Sequence, residues 1–294
     1  MKLIYVDNIL NSIYEDSLYC LLNSNNLLLI TNKGEQIIQL TNQLENKNIQ
    51  YNTLNIKTSP FLEIKKGNYL TLITRQINQS SPEGRAEFFK YKPLAIIKKQ
   101  VNNYIIKELP IKYPWFVYKD SGYYNDQQLD YVLAGSFVYY MMERSPFIYR
   151  YSLLNGKTDS MKVNSEFINE REIKPFDDLD FTSTNFYEKI IEYNYKIPKY
   201  QGLFYEKGSS YIMRINSIAT PYKEKGKKVN YRNYYISFID TNMNYVGEIP
   251  FLKDSIYNFF NFMPTSKGFI VAYKQTKEDI RLNRTRLCEY EVSF

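Results

Sequence analysis

The sequence contains no histidine in its 294 residues. This absence excludes Ser-His-Asp and Cys-His catalysis, and it removes the usual zinc ligand and the usual acid–base group near neutral pH. Cysteine is nearly as scarce, with Cys20 and Cys288 near opposite ends of the chain. Two thiols cannot form a structural zinc site or a disulfide scaffold. Because each lies in an apolar, strand-like run, we expect two buried free thiols, with a single bridge as the alternative.

Long apolar runs are also missing, since none approaches the ~20 residues that a membrane helix needs. The first residues, MKLIYVDNILNSIYEDS, contain a short apolar run followed by acidic and polar residues. They show no h-region and no small-residue cleavage site, so no export signal is visible in this chain. Hydrophobic residues make up 44% and charged residues 23%, a composition typical of a globular protein.

Aromatic residues and positive charge are abundant. The chain has 30 Tyr and 18 Phe against one Trp, and such rings favour strands because they pack well on a pleated surface. The formal net charge is +7, a balance that can indicate a polyanion as partner. Its one dense cluster, YKEKGKK at 222–228, is predicted to be a solvated loop. The other lysines are scattered, so the composition does not favour nucleic acid as a partner.

Short runs rich in Tyr, Phe, Ile, Leu and Val fill most of the sequence and are separated by Asn, Gly, Asp, Ser or Lys. This pattern is typical of many short antiparallel strands. Four-strand units are predicted at 11–41, 60–101, 129–163, 200–251 and 257–294, the last one strand short. In the second unit the strands are FLEIKKG, YLTLITR, EFFKY and LAIIKKQ.

The segment 137–163 shows what these strands require. FVYYMMER and FIYRYSL are consecutive strands, and Asn155-Gly156 is predicted to make a two-residue turn into TDSMKV. Tyr149, Tyr151 and Leu153 share one face of this hairpin, and residues 148, 161 and 163 share an apolar second face. Strands with bulk on both faces, in irregularly spaced four-strand units, predict an all-β fold, a β-propeller in which each blade lies between two others. A β-sandwich is the alternative, although its strands should alternate more strictly. We expect one domain over residues 1–294.

Two stretches interrupt this rhythm. Residues 110–128 contain YPWFVYKDSGYYNDQQ, and residues 164–199 are predicted to be a long connection with a short helix around FYEKIIEY. Long connections on a rigid scaffold are where binding residues concentrate.

The order of IKYPWFVYKDSGYYN, the 137–168 region, YQGLFYEKGSSYIMRIN and YYISFIDTNMNYVGEI resembles uncharacterised propeller-type lipoproteins of Bacteroidetes, a family of unknown function. The resemblance covers roughly residues 20–294. It implies a six-bladed, TolB-like propeller, export, lipid anchoring and a location in the periplasm or at the cell surface, but no known reaction. The chain departs from the family in lacking a visible signal and a lipobox cysteine, and it shows about five blades.

Candidate sites are few. Gly156-Lys157-Thr158 is not a phosphate loop, because Tyr151 stands where that motif needs glycine. Asp177, Asp178 and Asp180 could hold a hard cation but lack the glycine and distal glutamate of a calcium loop, so we expect no metal and no cofactor. The remaining candidates for contacts with a ligand are aromatic and basic residues: Tyr113, Trp115, Tyr123, Tyr124, Arg144 and Arg214. The alternative for these rings is packing between blades.

These observations favour a non-catalytic binding or scaffold module of the cell envelope that recognises a protein or a glycan, and we expect a monomer. Two alternatives remain: a hydrolase or lyase that uses carboxylates and tyrosines in the propeller funnel, and a polyanion-binding protein. We also expect Met1 to Val6 to add as the missing strand beside RLCEYEVSF, because an unpaired strand edge invites association.

Overall fold

The computed structural model consists mainly of antiparallel strands. It describes residues 8–14, 17–23, 26–31, 34–39, 49–51, 61–65, 67–75, 81–88, 90, 92–99, 104–112, 129–176, 183–206, 208–218, 223–224, 227–228, 232–251 and 257–293. Before residue 61 only the backbone is described. The chain divides into two compact units, Met1–Gly122 and Tyr123–Phe294. The expectation of one domain stays a prediction.

The first unit contains two antiparallel sheets. Sheet 1 has the order β1 (Asn8–Tyr14), β2 (Ser17–Asn23), β3 (Asn26–Thr31), β4 (Gly34–Gln39). Sheet 2 contains β5 (Ile49–Tyr51), β6 (Phe61–Lys65), β7 (Asn68–Arg75), β8 (Leu94–Lys99) and β9 (Tyr104–Glu108), with both β5 and β6 paired to β7. The first predicted unit is confirmed in all four strands.

The second predicted unit needs one correction. EFFKY is not a strand, because its first two residues end helix α1, Pro82–Phe88, and the strand next to β8 is β9 instead. The hydroxyl of Ser81 accepts a hydrogen bond from the N–H of Gly84 at 3.1 Å, as at a helix N-terminus, and Pro82 is the first helical residue. Residues that favour a helix start therefore outweigh the strand preference that the aromatic residues of EFFKY suggest.

Among its described residues the second unit contains three larger sheets and one two-stranded hairpin. Sheet 3 has the order β10 (Leu129–Ala134), β11 (Phe137–Met142), β12 (Phe147–Ser152), β13 (Thr158–Lys162). Sheet 4 has the order β14 (Lys199–Phe204), β15 (Tyr211–Ile218), β18 (Asn233–Asp240), β19 (Tyr245–Phe251), and a separate hairpin, β16 (Lys223–Glu224) with β17 (Lys227–Lys228), interrupts it. Sheet 5 has the order β20 (Tyr257–Pro264), β21 (Gly268–Tyr273), β22 (Leu287–Glu291). The three predicted units are confirmed.

Three α-helices and one 3-10 turn accompany these sheets in the described part of the chain. Helix α2, Phe186–Lys196, confirms the predicted short helix in the long connection, and a 3-10 turn covers Glu170–Glu172. Helix α3, Lys277–Arg281, joins β21 to β22. Together with α1 it shows that helix is not confined to 164–199, although both additional helices are short.

Sheet 4 is covered on both faces, as the bulky strands predict. On one face Ile212 and Ile239 join a cluster with Tyr139 and Met141 of sheet 3. On the other face Met213 and Phe238 join a cluster with residues of sheet 5. Strand β11 is likewise buried on both sides. An inner sheet that packs between two others is the arrangement of propeller blades, and the fold class is all-β, a β-propeller. The blade number implied by the family resemblance stays a prediction.

The turn at Asn155-Gly156 is longer than predicted. Ser152 donates its N–H to the carbonyl of Lys157 and accepts from the N–H of Gly156, so the loop contains residues 153–156. Gly156 has a φ of 71°, whereas Asn155 is not in the left-handed region, which a two-residue type I′ turn would require. The turn therefore belongs to the longer hairpin class.

The remaining sequence expectations have mixed outcomes. Within YKEKGKK, which was predicted to be a solvated loop, residues 223–224 and 227–228 instead pair as the hairpin β16–β17, and the side chains of this segment lie outside the described residues. Cys288 is a free thiol, as predicted, but is half-buried rather than buried. The side chain of Cys20 and the strand expected at residues 1–6 lie outside the described residues. No described helix is both long enough and apolar enough to cross a membrane.

Candidate binding site at the connection end

Sheets 3 and 4 share one end where their long connections meet, which we call the connection end. It is defined by Leu129 and Lys199, the first residues of β10 and β14. The N–H of Tyr200 donates to the carbonyl of Glu143, just after β11, at 2.9 Å, so the ends of the two sheets coincide. Because neighbouring strands are antiparallel, the connections 143–146, 163–198 and 219–232 all leave at this end.

A buried ion pair joins the two sheets at the connection end. The Nζ of Lys199 lies 2.9 Å from Oε1 of Glu143, and both side chains are about nine-tenths buried. Such a pair is costly to break, because either charge alone would remain in a poorly solvated position. The second carboxylate oxygen of Glu143 is also buried, and it accepts no hydrogen bond from the described residues.

Two buried arginines hold the C-terminus of helix α2. Arg232 donates to the carbonyls of Asn194 at 2.6 Å and Tyr195 at 3.3 Å, to that of Ile197, and through Nε to the hydroxyl of Ser217 at 3.0 Å. The last carbonyls of a helix have no partners inside it and carry partial negative charge, which a guanidinium satisfies well. Burial lowers the pKa of Arg232 to about 10, and the nearby charge of Arg144 acts in the same direction.

Arg144, a predicted contact with the ligand, is part of the same arrangement. It donates to the carbonyl of Pro198 at 3.3 Å and to Oδ1 of Asn194 at 3.2 Å, and its guanidinium lies 5.7 Å from the centre of the Tyr193 ring. It is buried, with 7% of its surface exposed. These contacts fix the connection after α2 to the connection end and leave the guanidinium little access to solvent.

Arg214, the other predicted arginine, lies between sheets 3 and 4 and is fully buried. It donates to the carbonyls of Pro146 at 3.0 Å and Val163 at 2.7 Å, and its guanidinium lies 4.4 Å from the centre of the Tyr200 ring. Burial lowers its pKa to about 10, while Tyr200 and Glu248 oppose this effect. Its described contacts join the two sheets, and a role in ligand contact stays a prediction.

Glu248 connects the first part of the long connection to sheet 4. Its Oε1 accepts hydrogen bonds from Asn216 at 2.5 Å and Ser237 at 2.9 Å. Its Oε2 accepts from the hydroxyl of Ser165 and the N–H of Glu166, both at 3.0 Å. The connection is thus fixed to sheet 4 near its start by Glu248 and near its end by Arg232.

Sequence reasoning did not identify Glu143, Lys199, Arg232 or Glu248. A signal was present for two of them: charged residues at the limits of strands buried on both faces must find partners inside the protein. Glu143 follows FVYYMM directly, and Arg232 precedes NYYISFID. Which carbonyl or carboxylate each one meets depends on contacts far apart in sequence.

The other predicted positions lie outside the described residues: Tyr113, Trp115, Tyr123, Tyr124, Asp177, Asp178 and Asp180. Among the residues that are described, no group of three or more Cys, Asp or Glu side chains is placed to hold a metal ion. Gly156 and Lys157 lie between β12 and β13, and Thr158 begins β13, so these residues belong to a hairpin, as the sequence predicted, and not to a phosphate loop.

No family model and no curated protein sequence matches this chain. Among solved structures, a member of the DUF4221 family from Bacteroides vulgatus is similar with a TM-score of 0.69 and 13% identity, over 92% of this chain and 73% of that one. An auxiliary nutrient binding protein from Bacteroides thetaiotaomicron gives a TM-score of 0.46 and 9% identity, over 92% and 51%. The WD40 domain of SCAP from fission yeast gives 0.36 and 8%, over 94% and 61%.

The similarity of fold to the DUF4221 member confirms the resemblance to an uncharacterised family of Bacteroidetes that the sequence indicated. At these identities a shared fold does not establish a shared activity.

Proposed function

We propose that this chain is a non-catalytic binding or scaffold module of the bacterial cell envelope, in the periplasm or at the cell surface, which recognises a protein or a glycan. The observation that carries this proposal is the rigid construction of the connection end. There, long connections leave two packed sheets and are fixed by the Glu143–Lys199 pair and by the contacts of Arg144 and Arg232.

A fixed end suits recognition because a site that is already ordered loses little entropy when a ligand binds. Helix α2 is held through its last carbonyls, and none of its residues is fully buried. Its outer surface includes Tyr187, which is 81% exposed. The connection end therefore combines an ordered base with surface side chains available for contact.

The aromatic positions support the same function. Tyr123 and Tyr124 precede β10 by a few residues, and β10 begins at the connection end. Tyrosine and tryptophan provide a large contact area with few rotatable bonds, and they stack on sugar rings as well as on protein side chains. We propose Tyr123 and Tyr124 as ligand contacts of this kind, and Tyr113 and Trp115 stay predictions from the sequence.

The described charges at this end favour binding over catalysis. General acid–base chemistry needs a group that is free to exchange its proton with a substrate. Glu143 is paired with Lys199, and Arg144 and Arg232 donate to backbone carbonyls.

The envelope location is supported by the family resemblance in the sequence and by the fold shared with a Bacteroides protein. The experiment is photocrosslinking in cells of the bacterium that produces the protein, with p-benzoyl-phenylalanine in place of Tyr124. The matched control carries the same group in place of Tyr245, which is 40% exposed and begins β19 at the opposite end of sheet 4.

We expect adducts from position 124 and none from position 245, and digestion with protease or with glycosidases then identifies the ligand class. Equal adducts at the two positions, or no adduct at position 124, would contradict the proposal. Circular dichroism of both variants checks that they fold.

A further inference from the structure

Three buried polar side chains lie next to one another on the face of sheet 4 that packs against sheet 3. Tyr200 of β14 stands directly opposite Asn216 of β15, and Arg214 lies two residues before Asn216, so all three share one face. Ile212, on the same side of β15, belongs to the apolar cluster that joins the two sheets, which identifies this face. The three polar side chains are fully buried.

Each of them has one polar atom that meets no hydrogen-bond partner among the described residues: the hydroxyl of Tyr200, Nε of Arg214 and Oδ1 of Asn216. The terminal nitrogens of Arg214 donate to two backbone carbonyls. Nδ2 of Asn216 donates to the hydroxyl of Ser237 and to Oε1 of Glu248. Buried polar atoms without a partner are rare, because they lose their hydration without a compensating hydrogen bond. Three of them on one face therefore need a common partner.

The hydrogen bonds of Asn216 fix the direction of its Oδ1. A carboxylate oxygen such as Oε1 of Glu248 only accepts, so the amide must present Nδ2 to it. Ser237 and Glu248 belong to β18 and β19, so Oδ1 is directed away from them, towards β14, where Tyr200 stands opposite. The guanidinium of Arg214 lies 4.4 Å from the centre of the Tyr200 ring. The three atoms therefore border one small region beside that ring.

The chemistry of this region decides what it can hold. Nε of Arg214 donates, Oδ1 of Asn216 accepts, and the hydroxyl of Tyr200 can do either. An anion would face the amide oxygen and the charge of Glu248, which acts on both Tyr200 and Arg214. A cation would face the guanidinium of Arg214. A neutral molecule that both donates and accepts satisfies all three atoms, and a water molecule does so with the three hydrogen bonds that buried waters usually make.

We propose that sheet 4 binds an internal water molecule here, which accepts from Nε of Arg214, donates to Oδ1 of Asn216 and forms a hydrogen bond with the hydroxyl of Tyr200. This hydration site lies next to the connection end, because the N–H of Tyr200 donates to the carbonyl of Glu143 there. The water completes the polar contact between sheets 3 and 4. It does not depend on the proposed binding function.

The first experiment is a high-resolution crystal structure from crystals grown with sodium bromide. We expect a density peak within hydrogen-bond distance of at least two of the three atoms, without anomalous signal from bromide. An anomalous peak would assign the position to an anion. That result would overturn the proposal, as would a region without density or direct hydrogen bonds among the three side chains.

The second experiment measures the hydroxyl of Tyr200 in solution. Tyr200→Phe removes this group and keeps the ring beside Arg214. The matched control is Tyr139→Phe, because Tyr139 is also buried and its hydroxyl donates directly to the carbonyl of Thr241 at 2.6 Å. If water binds Tyr200, both variants lose a hydrogen bond, and the equilibrium constant for unfolding in urea should rise about two- to tenfold in each.

A hydroxyl without water predicts a different result for Tyr200→Phe. Its removal would take away a desolvated polar group and break no hydrogen bond, so stability would stay the same or increase. Unchanged or greater stability of Tyr200→Phe would therefore overturn the proposal. The control gives the size of the loss that a direct hydrogen bond causes between the same two sheets.

Discussion

The two faces of sheet 4 pack by different chemistry. Towards sheet 5 the contact is made by aromatic rings, with the centres of Phe204 and Phe262 4.6 Å apart and those of Phe251 and Phe269 5.4 Å apart. Towards sheet 3 the contact is polar: the buried guanidinium of Arg214 donates to the carbonyls of Pro146 and Val163. Glu248 accepts hydrogen bonds from Ser165 and Glu166, in the connection that follows β13. The same strands, β15 and β18, contribute to both.

The interface with sheet 5 depends mainly on filling space with apolar groups, whereas the interface with sheet 3 depends on the direction of hydrogen bonds. Aromatic contacts tolerate small shifts, because burial of apolar area has no preferred direction. The Arg214 contacts depend on two carbonyls at fixed positions and leave unpaired groups if they are lost. The polar interface is therefore the one that sets how sheets 3 and 4 fit together, and the candidate binding site lies at its end.

Replacing Arg214 with alanine should have the largest effect. It would leave the carbonyls of Pro146 and Val163 buried without these donors and would open a cavity beside Tyr200. We expect the free energy of unfolding to fall by about 3–5 kcal/mol, measured by urea denaturation. The matched control is Arg150→Ala, which removes a partly exposed arginine between the same sheets. If Arg214→Ala lowers the free energy of unfolding no more than Arg150→Ala does, the buried hydrogen bonds of Arg214 do not determine how sheets 3 and 4 pack.

Gly202→Ala should rank second, because it disturbs both interfaces. Gly202 has a φ of 76°, and an added Cβ would lie 2.6 Å from Cε2 of Phe204, a ring of the aromatic interface. Its N–H donates to Oδ2 of Asp130 in sheet 3 at 2.8 Å. We expect a loss of about 2–3 kcal/mol. Gly208→Ala is the control, because Gly208 also has a positive φ but an added Cβ there meets no atom within 4 Å. Equal losses of stability in the two variants would show that the contact with Phe204 contributes nothing.

Phe269→Leu should cost less, although Phe269 is fully buried. Leucine keeps the site apolar, and the neighbouring rings can move to fill part of the lost volume. We expect a loss of about 1–2 kcal/mol by the same measurement. Arg214→Lys is the matched conservative change in the polar interface, and it should cost more because one ammonium cannot serve both carbonyls with the fork of arginine. The reverse order would contradict the contrast between the interfaces.

The smallest effect on stability should come from Asp279, in the helix between β21 and β22 of sheet 5, and it should appear only at acidic pH. The backbone N–H and hydroxyl of Thr276, together with Arg284 and Arg286, hold the pKa of Asp279 well below its usual range. The stabilisation from a lowered carboxyl pKa is present above the unfolded pKa of about 3.9 and is lost as pH falls through the lower folded value. Stability of the unmodified protein should therefore fall between about pH 4 and pH 2 more steeply than that of Asp279→Asn. Parallel pH profiles would show that this carboxylate is not linked to folding.

The strands of sheet 3 could be predicted almost to the residue, because turn residues separate them and β10, β11 and β12 carry bulky side chains on both faces. Bulk on both faces of a strand also predicts that Arg214 is buried. A charged residue at the centre of YIMRINS, in a strand covered on both sides, has to be buried. The sequence indicates that burial, but not the partners, since the carbonyls of Pro146 and Val163 lie 68 and 51 residues away.

Helix α1 was missed for a different reason. Ser81, Pro82 and Glu83 form a clear helix start, but the aromatic pair that follows favoured a strand. The candidate site was predicted in part: the long connections and α2 could be read from the broken rhythm of strands. Glu143, Lys199 and Arg232 could not, because their roles arise where segments distant in sequence meet.

The contact between Arg232 and α2 also sets an order of events during synthesis. The helix has 11 residues, too few to be stable alone in water, and its last carbonyls are held by a residue 35 to 38 positions later. The ribosome therefore releases the whole helix well before the arginine that secures it. Until β18 emerges, the nascent chain carries α2 as a fluctuating segment, and the connection end becomes complete only after Arg232 has been made.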